Sequence, residues 1–225
     1  VDNHKLMYHP ERTKEWLEKG DCPPIYVEIG PTDACNHKCV FCALDYLDCQ
    51  GKYINTEIML QALKDMAEKG VKSIMCGGEG EPFLHKDICL FTNKAKEYGL
   101  DISFTTNGTF FNKPKIEQCL HNISWIKFSI DAGTPESYAE VHGTNKEDFE
   151  KLMTNIQDAV EHRKQNNIKT TIGAQCLIIP QAIESIANLA ERLKQIGVDY
   201  LILKPYSKHP QSINEFIINP EEYNQ

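Results

Sequence analysis

Short apolar runs alternate with amphipathic stretches along nearly the whole chain. Ile25 to Ile29, Ser73 to Cys76, Asp101 to Thr105, Trp125 to Ile130, Lys169 to Ile179 and Tyr200 to Lys204 each read as a strand. Between them lie segments of helical length. Thr56 to Lys69 places Ile58, Met59, Leu63 and Met66 at helical spacing, and Gly70 stands just past its end. Asp87 to Tyr98 stops at Gly99, Lys113 to Cys119 carries Pro114 in its first turn, Lys146 to Gln165 is long, and Ala182 to Gln195 ends near Gly197. Six strands alternating with five helices predict an α/β fold with a parallel sheet and right-handed crossovers. A six-strand partial barrel and a doubly wound open sheet both fit this alternation; a closed eight-stranded barrel needs two more units. In each case the loops at the carboxyl ends of the strands are where function gathers.

The pattern also sets boundaries. Residues 1–24 precede the first strand and are expected to form an N-terminal extension, with a short helix from Glu11 to Lys19 anchored by Trp16 and Leu17. Residues 25–206 hold the strand–helix units. Residues 207–225, with Pro210 and Pro220, read as a tail that opens a further segment.

Composition narrows the class. The chain has 225 residues, 41% hydrophobic and 25% charged, as expected of one globular domain. Its net charge of −8 argues against a general nucleic-acid binder, which needs a basic face to meet phosphates. It holds no apolar run of about 18 residues, and its first residues lack the apolar stretch of a signal peptide, so the expectation is a cytoplasmic, membrane-free, reducing setting. Nine cysteines in that setting are not a disulfide framework. Cys22, Cys49, Cys76, Cys89, Cys119 and Cys176 are scattered singly and read as plain thiols.

Cys35, Cys39 and Cys42 are different: they share one short loop, three residues apart and then two. Three thiolates on one loop can hold three corners of a cubane iron–sulfur cluster and leave the fourth iron without a protein ligand. Structural zinc instead wants four N/S ligands, usually in two paired knuckles, and the chain has no second knuckle. His37 could ligate by composition, but it and Lys38 are expected to be solvated or near-cluster loop residues. The other strand ends carry their own marks: Gly77-Gly78-Glu79-Gly80-Glu81-Pro82 after the second, Thr106-Asn107-Gly108 after the third, Asp131 after the fourth. Glycines let a backbone approach a ligand closely, a carboxylate can accept from an ammonium, and Asn-Gly favours a turn.

The cysteine spacing, with aromatic Phe41 before the last thiol, resembles the signature of the radical S-adenosylmethionine (SAM) enzymes. The likeness spans roughly Ile25 to Tyr206 and selects the partial (β/α)6 TIM-like barrel with parallel strands. It implies a [4Fe–4S] cluster on Cys35, Cys39 and Cys42, SAM on the open iron, and reductive cleavage giving a 5′-deoxyadenosyl radical that abstracts hydrogen from substrate. It further implies that Phe41 lies near the adenine and that Gly77, Gly78 and Glu79 meet the methionine end. Asn107, in a turn that is as much structural as ligand-binding, joins the SAM site. So do Ser129 and Asp131, with Asp131 alternatively capping the next turn. Gly173 and Ala174 would leave room for adenine on strand five, Gln175 would bond SAM or substrate, and Lys204 would hold an anionic group. Glu81 is structural or functional with equal weight, and His142, in the loop before the long helix, is a further contact. No catalytic residue beyond the cluster is assignable. The implied partners are a peptide or small-molecule substrate and a reductant such as flavodoxin or ferredoxin. Many peptide-modifying relatives, those of the SPASM/twitch type, carry a C-terminal extension with auxiliary cysteine clusters; these 225 residues do not include one, so either the extension is missing from them or the enzyme works with one cluster. Two other readings stand beside this one: a non-catalytic iron–sulfur or zinc-binding protein, and a plain βα enzyme with incidental cysteines.

Overall fold

A computed structural model describes residues 6–215. Six parallel strands form one sheet in sequence order: β1 (Tyr26–Ile29), β2 (Ser73–Cys76), β3 (Asp101–Thr106), β4 (Ile123–Ser129), β5 (Thr171–Ile178) and β6 (Tyr200–Pro205). Sequential order with every pair parallel is the layout of a partial (β/α)6 barrel, and the doubly wound alternative is set aside. The helices are α1 (Pro10–Lys19), α2 (Thr56–Glu68), α3 (Ile88–Glu97), α4 (Lys113–Cys119), α5 (Pro135–His142), α6 (Glu147–Gln165) and α7 (Ile186–Ile196).

Strand alternation sorts side chains onto two faces. Ile74, Cys76, Ile102, Phe104, Ile126, Phe128, Ile172, Ala174 and Cys176 are fully buried beneath the helices and form one core with Leu63, Phe91, Ile116, Leu152 and Leu193. The residues between them point the other way. Register aligns Thr105, Lys127 and Gly173 across β3, β4 and β5, and Ser129 with Gln175. This second face is polar and half open.

Three expectations need correction. First, His142 is not in a loop: it closes α5, a helix the strand–helix count missed. The local signals were present, since Thr134 and Ser137 form a reciprocal capping box, Pro135 fills the first turn, and Gly143 ends the helix at φ 55°. Second, Trp16 and Leu17 do not anchor α1; they are 55% and 77% exposed, while Arg12 Nη2 donates to Gly70 O at 3.1 Å. Third, Gly173 and Ala174 leave no gap for a ring: a side chain at Gly173 would collide with the Tyr200 ring, and Ala174 faces the helices. Of the tail, residues 216–225, including Pro220, lie outside the described residues. Among the described residues no helix is long and apolar enough to cross a membrane.

Candidate functional site

The cysteine loop follows β1 and is gripped from several sides. At its start, Asp33 accepts from Gln50 N at 3.0 Å and from Lys52 N, and Thr32 Oγ1 donates to Lys52 O at 2.7 Å. The loop after β2 packs against it: Glu81 N donates to Ala34 O at 2.8 Å, and a side chain at Gly80 would strike the Thr32 and Ala34 carbonyls. The end of α5 supports its middle, where Lys38 N donates to His142 O at 2.9 Å and Val40 N to Val141 O at 3.0 Å. Gly143 is required there, because any side chain would meet Lys38 O. Beyond Cys42, Asp45 accepts from Ser212, Ile213 and Asn214, and Asn214 Nδ2 donates to Cys42 O at 3.1 Å.

The turn after β3 completes the grip. Asn107 Nδ2 donates to Asn36 Oδ1 at 2.9 Å, Asn36 Nδ2 donates to Thr109 Oγ1 at 3.0 Å, and Asn107 Oδ1 accepts from Thr109. Asn107 thus bridges the β3 turn to the residue between Cys35 and His37. Asn155, buried on the apolar face of α6, donates to Gly108 O and Thr109 O from below. Glu81 is the hub: buried, it accepts from Phe83 N at 3.0 Å, Thr106 Oγ1 at 2.6 Å and Asn107 N at 2.8 Å. Burial raises its pKa and those hydrogen bonds pull the other way.

The thiols respond to this packing. Burial pushes Cys35 up and Cys39 well up; Asp131 and the neighbouring thiols add to the shift at Cys39, as Glu81 and Cys42 do at Cys35. Three thiolates side by side therefore become favourable only with cations among them. A cluster of iron ions meets that condition, and the three-thiol donor set suits it.

Other residues named from the sequence sort into two groups. Glu79 is exposed, makes no hydrogen bond or ion pair among the described residues, and reaches over Gly30 at the end of β1. Gly78, at φ 101°, has open space around it, whereas Gly77 is packed against Thr105. Ser129 and Gln175 lie side by side on the open face, and Lys204 is exposed at the top of β6. Phe41 is half-buried, edge-on to His142 at 5.8 Å between ring centroids.

Asp131 and His37 lie deeper. Asp131 is 1% exposed at φ 52°; its Oδ1 accepts from Leu177 N at 2.6 Å and its Oδ2 stands 3.6 Å from His142 Nε2. Burial pushes its carboxyl up to about 7 against the Leu177 hydrogen bond. His37, expected to be a solvated or near-cluster loop residue, is buried and therefore not solvated.

Sequence reasoning missed Lys127, whose Nζ donates to Gln175 Oε1 at 2.9 Å. The signal was the alternation Trp125-Ile126-Lys127-Phe128-Ser129, which sets Lys127 opposite Ile126 and Phe128. Asn36, Thr109 and Asn155 were also missed, for want of any local mark beyond Asn155 interrupting an apolar stripe.

The family model of the Radical SAM superfamily matches residues 29–193, most of the chain. The chain belongs to the radical SAM superfamily. Enzymes of this superfamily use a [4Fe–4S] cluster and SAM, and this radical SAM chain offers a matching thiol set and, on the neighbouring strand end, a carboxylate unpaired among the described residues. The tungsten-containing aldehyde ferredoxin oxidoreductase cofactor-modifying protein of Pyrococcus furiosus is 24% identical over 204 residues, covering 86% of this chain and 54% of that protein. A GTP 3′,8-cyclase of Desulforamulus reducens is 26% identical over 205 residues, covering 87% and 61%. The chain spans about half the length of the curated relatives it matches. Streptococcus suis SuiB bound to S-adenosylmethionine shares the fold, with a TM-score of 0.73 at 18% identity over 95% of this chain and 48% of that one. SuiB bound to its precursor peptide SuiA gives 0.70 at 18% identity, over 90% and 44%.

Proposed function

We propose that residues 25–206 form the working barrel of a radical SAM enzyme that removes a hydrogen atom from a peptide or small-molecule substrate on the open face of the sheet. The observation that carries this reading is the juxtaposition of a three-thiol loop, gripped from several sides, with Glu79, exposed and unpaired among the described residues, on the neighbouring strand end. Cys35, Cys39 and Cys42 would hold the cluster. When bound, the cluster and SAM supply a carbon-centred radical able to take hydrogen from an unreactive C–H bond.

The chain's own residues bind and orient. Glu79, having no competing cation among the described residues, accepts hydrogen bonds from the SAM ammonium as a charge-assisted pair. Gly77 and Gly78 keep side chains out of the way of that approach, and Phe41 packs the loop at the adenine side. Ser129, Gln175 and Lys204 line the open face above them, and Lys127 fixes the Gln175 amide by holding its oxygen. Asn107 and Asp131 act by position: Asn107 pins the residue after Cys35, and Asp131 holds the end of β5 and stands behind His142. A peptide substrate is supported by SuiB, whose structure is known with a precursor peptide and with the same fold; a small nucleotide-like substrate is supported by the GTP 3′,8-cyclase relatives. The electron comes from a flavodoxin or ferredoxin in the cytoplasm.

The test is 5′-deoxyadenosine formation by anaerobically reconstituted, reduced protein given SAM, with Cys42→Ala as control. Product that requires Cys42 is expected. Product from the Cys42→Ala chain, or an intact cluster that neither binds nor cleaves SAM, would overturn the reading.

A further inference from the structure

His37 stands between two cysteines, yet its side chain is 1% exposed; Nε2 faces Asp148 Oδ2 at 3.4 Å, while Nδ1 has no hydrogen-bond partner among the described residues. An unpaired buried polar group costs about 1–3 kcal/mol, so such a group points to an occupant that satisfies it. Its neighbours show what that occupant is. The His142 ring lies 5.4 Å away between centroids, with Nδ1 at 3.2 Å from Cys39 Sγ. His142 Nε2 is 2.7 Å from Ile130 O. A carbonyl can only accept, so Nε2 carries the ring hydrogen and Nδ1 presents a lone pair toward the sulfur. One ligand atom each from His37, Cys39 and His142 lies within 4.8 Å of the others.

We infer that these three residues form a binding site for one zinc ion, distinct in donor set from the three-thiol site and exclusive with it through Cys39. Exclusivity rests on the reading of Cys39 as a cluster ligand; the zinc site itself stands on the geometry. In a tetrahedral site with Zn–S near 2.3 Å and Zn–N near 2.0–2.1 Å, ligand atoms stand roughly 3.3–3.6 Å apart; the three atoms here lie within 4.8 Å of one another, so the site contracts on binding. Both imidazoles have outer partners of the kind that orient zinc-bound histidines. Ile130 O and, at 3.6 Å, Asp131 Oδ2 stand behind His142 Nε2, and Asp148 Oδ2 is 3.4 Å from His37 Nε2. Cys39 is half-buried. Binding exchanges the Cys39 thiol proton for the ion and releases it to solvent, with no redox change. At a mixed N/S site zinc outcompetes ferrous iron, so an occupied site blocks loading of the cluster.

The probe is Co2+, and then Zn2+, added anaerobically to the full metal-free chain. Thiolate-to-cobalt charge-transfer intensity counts sulfur ligands. One thiolate per ion is expected, whereas three would mean the cysteine loop binds the ion alone and would overturn the inference. In a Cys35→Ala/Cys42→Ala background the affinity is expected to persist, and adding His37→Gln or His142→Gln to lower it by more than about 100-fold, since outer-partner changes alone cost ~10–100-fold. Circular dichroism identifies any variant that fails to fold, and the wild-type cobalt spectrum needs no variant at all. Affinity unchanged by either histidine replacement in a folded chain would also overturn it. A final arm adds iron and sulfide to zinc-loaded and zinc-free wild type. Cluster formed only in the zinc-free chain supports exclusivity. No cluster in either, with zinc bound through one thiolate, defeats the cluster reading and leaves the zinc site standing.

Discussion

On β4, Ile126 and Phe128 are fully buried under the helices, while Lys127 and Ser129, one residue along, are only half-covered on the opposite face. The same split runs across the sheet: Phe104 against Thr105, Ala174 against Gln175. One face is close-packed hydrocarbon and supplies stability. The other keeps hydroxyls, amides and amines at the mouth of the barrel, where they add little to folding and are available for chemistry. If this division is real, substitutions on the two faces must have opposite signatures, and the polar residues that violate it must be scaffold in disguise.

The largest effect falls on the packed face. Phe128→Ala removes a fully buried ring that lies beside Phe111 and over Gly108, and is expected to cost about 3–5 kcal/mol, read as a fall in the urea midpoint. SAM affinity in the remaining folded fraction stays as it was. A midpoint shift below about 1 kcal/mol would mean that the helices do not seal this face.

Glu81 is the case that cuts across the division, a charged residue at a strand end with a structural job. Glu81→Ala strands Phe83 N, Asn107 N and the Thr106 hydroxyl in a buried space, and a loss of about 2–4 kcal/mol is expected. Iron should also leave the reconstituted protein faster, because Asn107 no longer steadies the cysteine loop. A stable variant with normal iron retention would mean the grip on the loop does not pass through Glu81.

Glu79, two residues earlier, is the contrast. It is exposed and unpaired among the described residues, so Glu79→Gln is expected to change stability by less than about 0.5 kcal/mol. SAM affinity is expected to fall about tenfold, near 1.4 kcal/mol, with loss of the charge-assisted bonds. Equal SAM affinity in the two proteins would reassign the ammonium contact.

How much of this division was legible beforehand follows from what each feature depends on. The strand–helix alternation and the cysteine loop are local, and both stood in the sequence. The split between faces was also written there, as Trp125-Ile126-Lys127-Phe128-Ser129, though it is easy to read such a strand as one apolar run. Helix α5 was overlooked because its apolar stripe is short, even though Thr134, Ser137 and Gly143 mark both ends. What no local pattern could give is pairing across long separations. Asn36 with Thr109, Asp45 with Ser212, and His142 with Cys39 lie 73, 167 and 103 residues apart. Only the fold brings them together, and for that reason the burial of His37 could not be read from its place between two cysteines.

The smallest effect tests whether the open face gives up stability for function. Burial lowers the Lys127 pKa, the nearby Lys204 lowers it further, and Asp131 and Glu28 act in the other direction. The folded chain therefore binds fewer protons than the unfolded one between the depressed value and 10.5, and stability rises as pH climbs through that window. Lys127→Met removes the buried ammonium and with it this slope. Because the side chain is only about half-covered, solvent screening keeps the gain near neutral pH to roughly 0.5 kcal/mol or less. The same change frees the Gln175 amide, so weaker SAM or substrate binding is expected in a protein that is no less stable. Melting temperatures of the two proteins from pH 7 to 10 decide the matter: the gap should close as pH rises. A variant that is less stable at every pH would place Lys127 with Glu81, among the residues that hold the barrel mouth together, and would move the boundary between the two faces one layer inward.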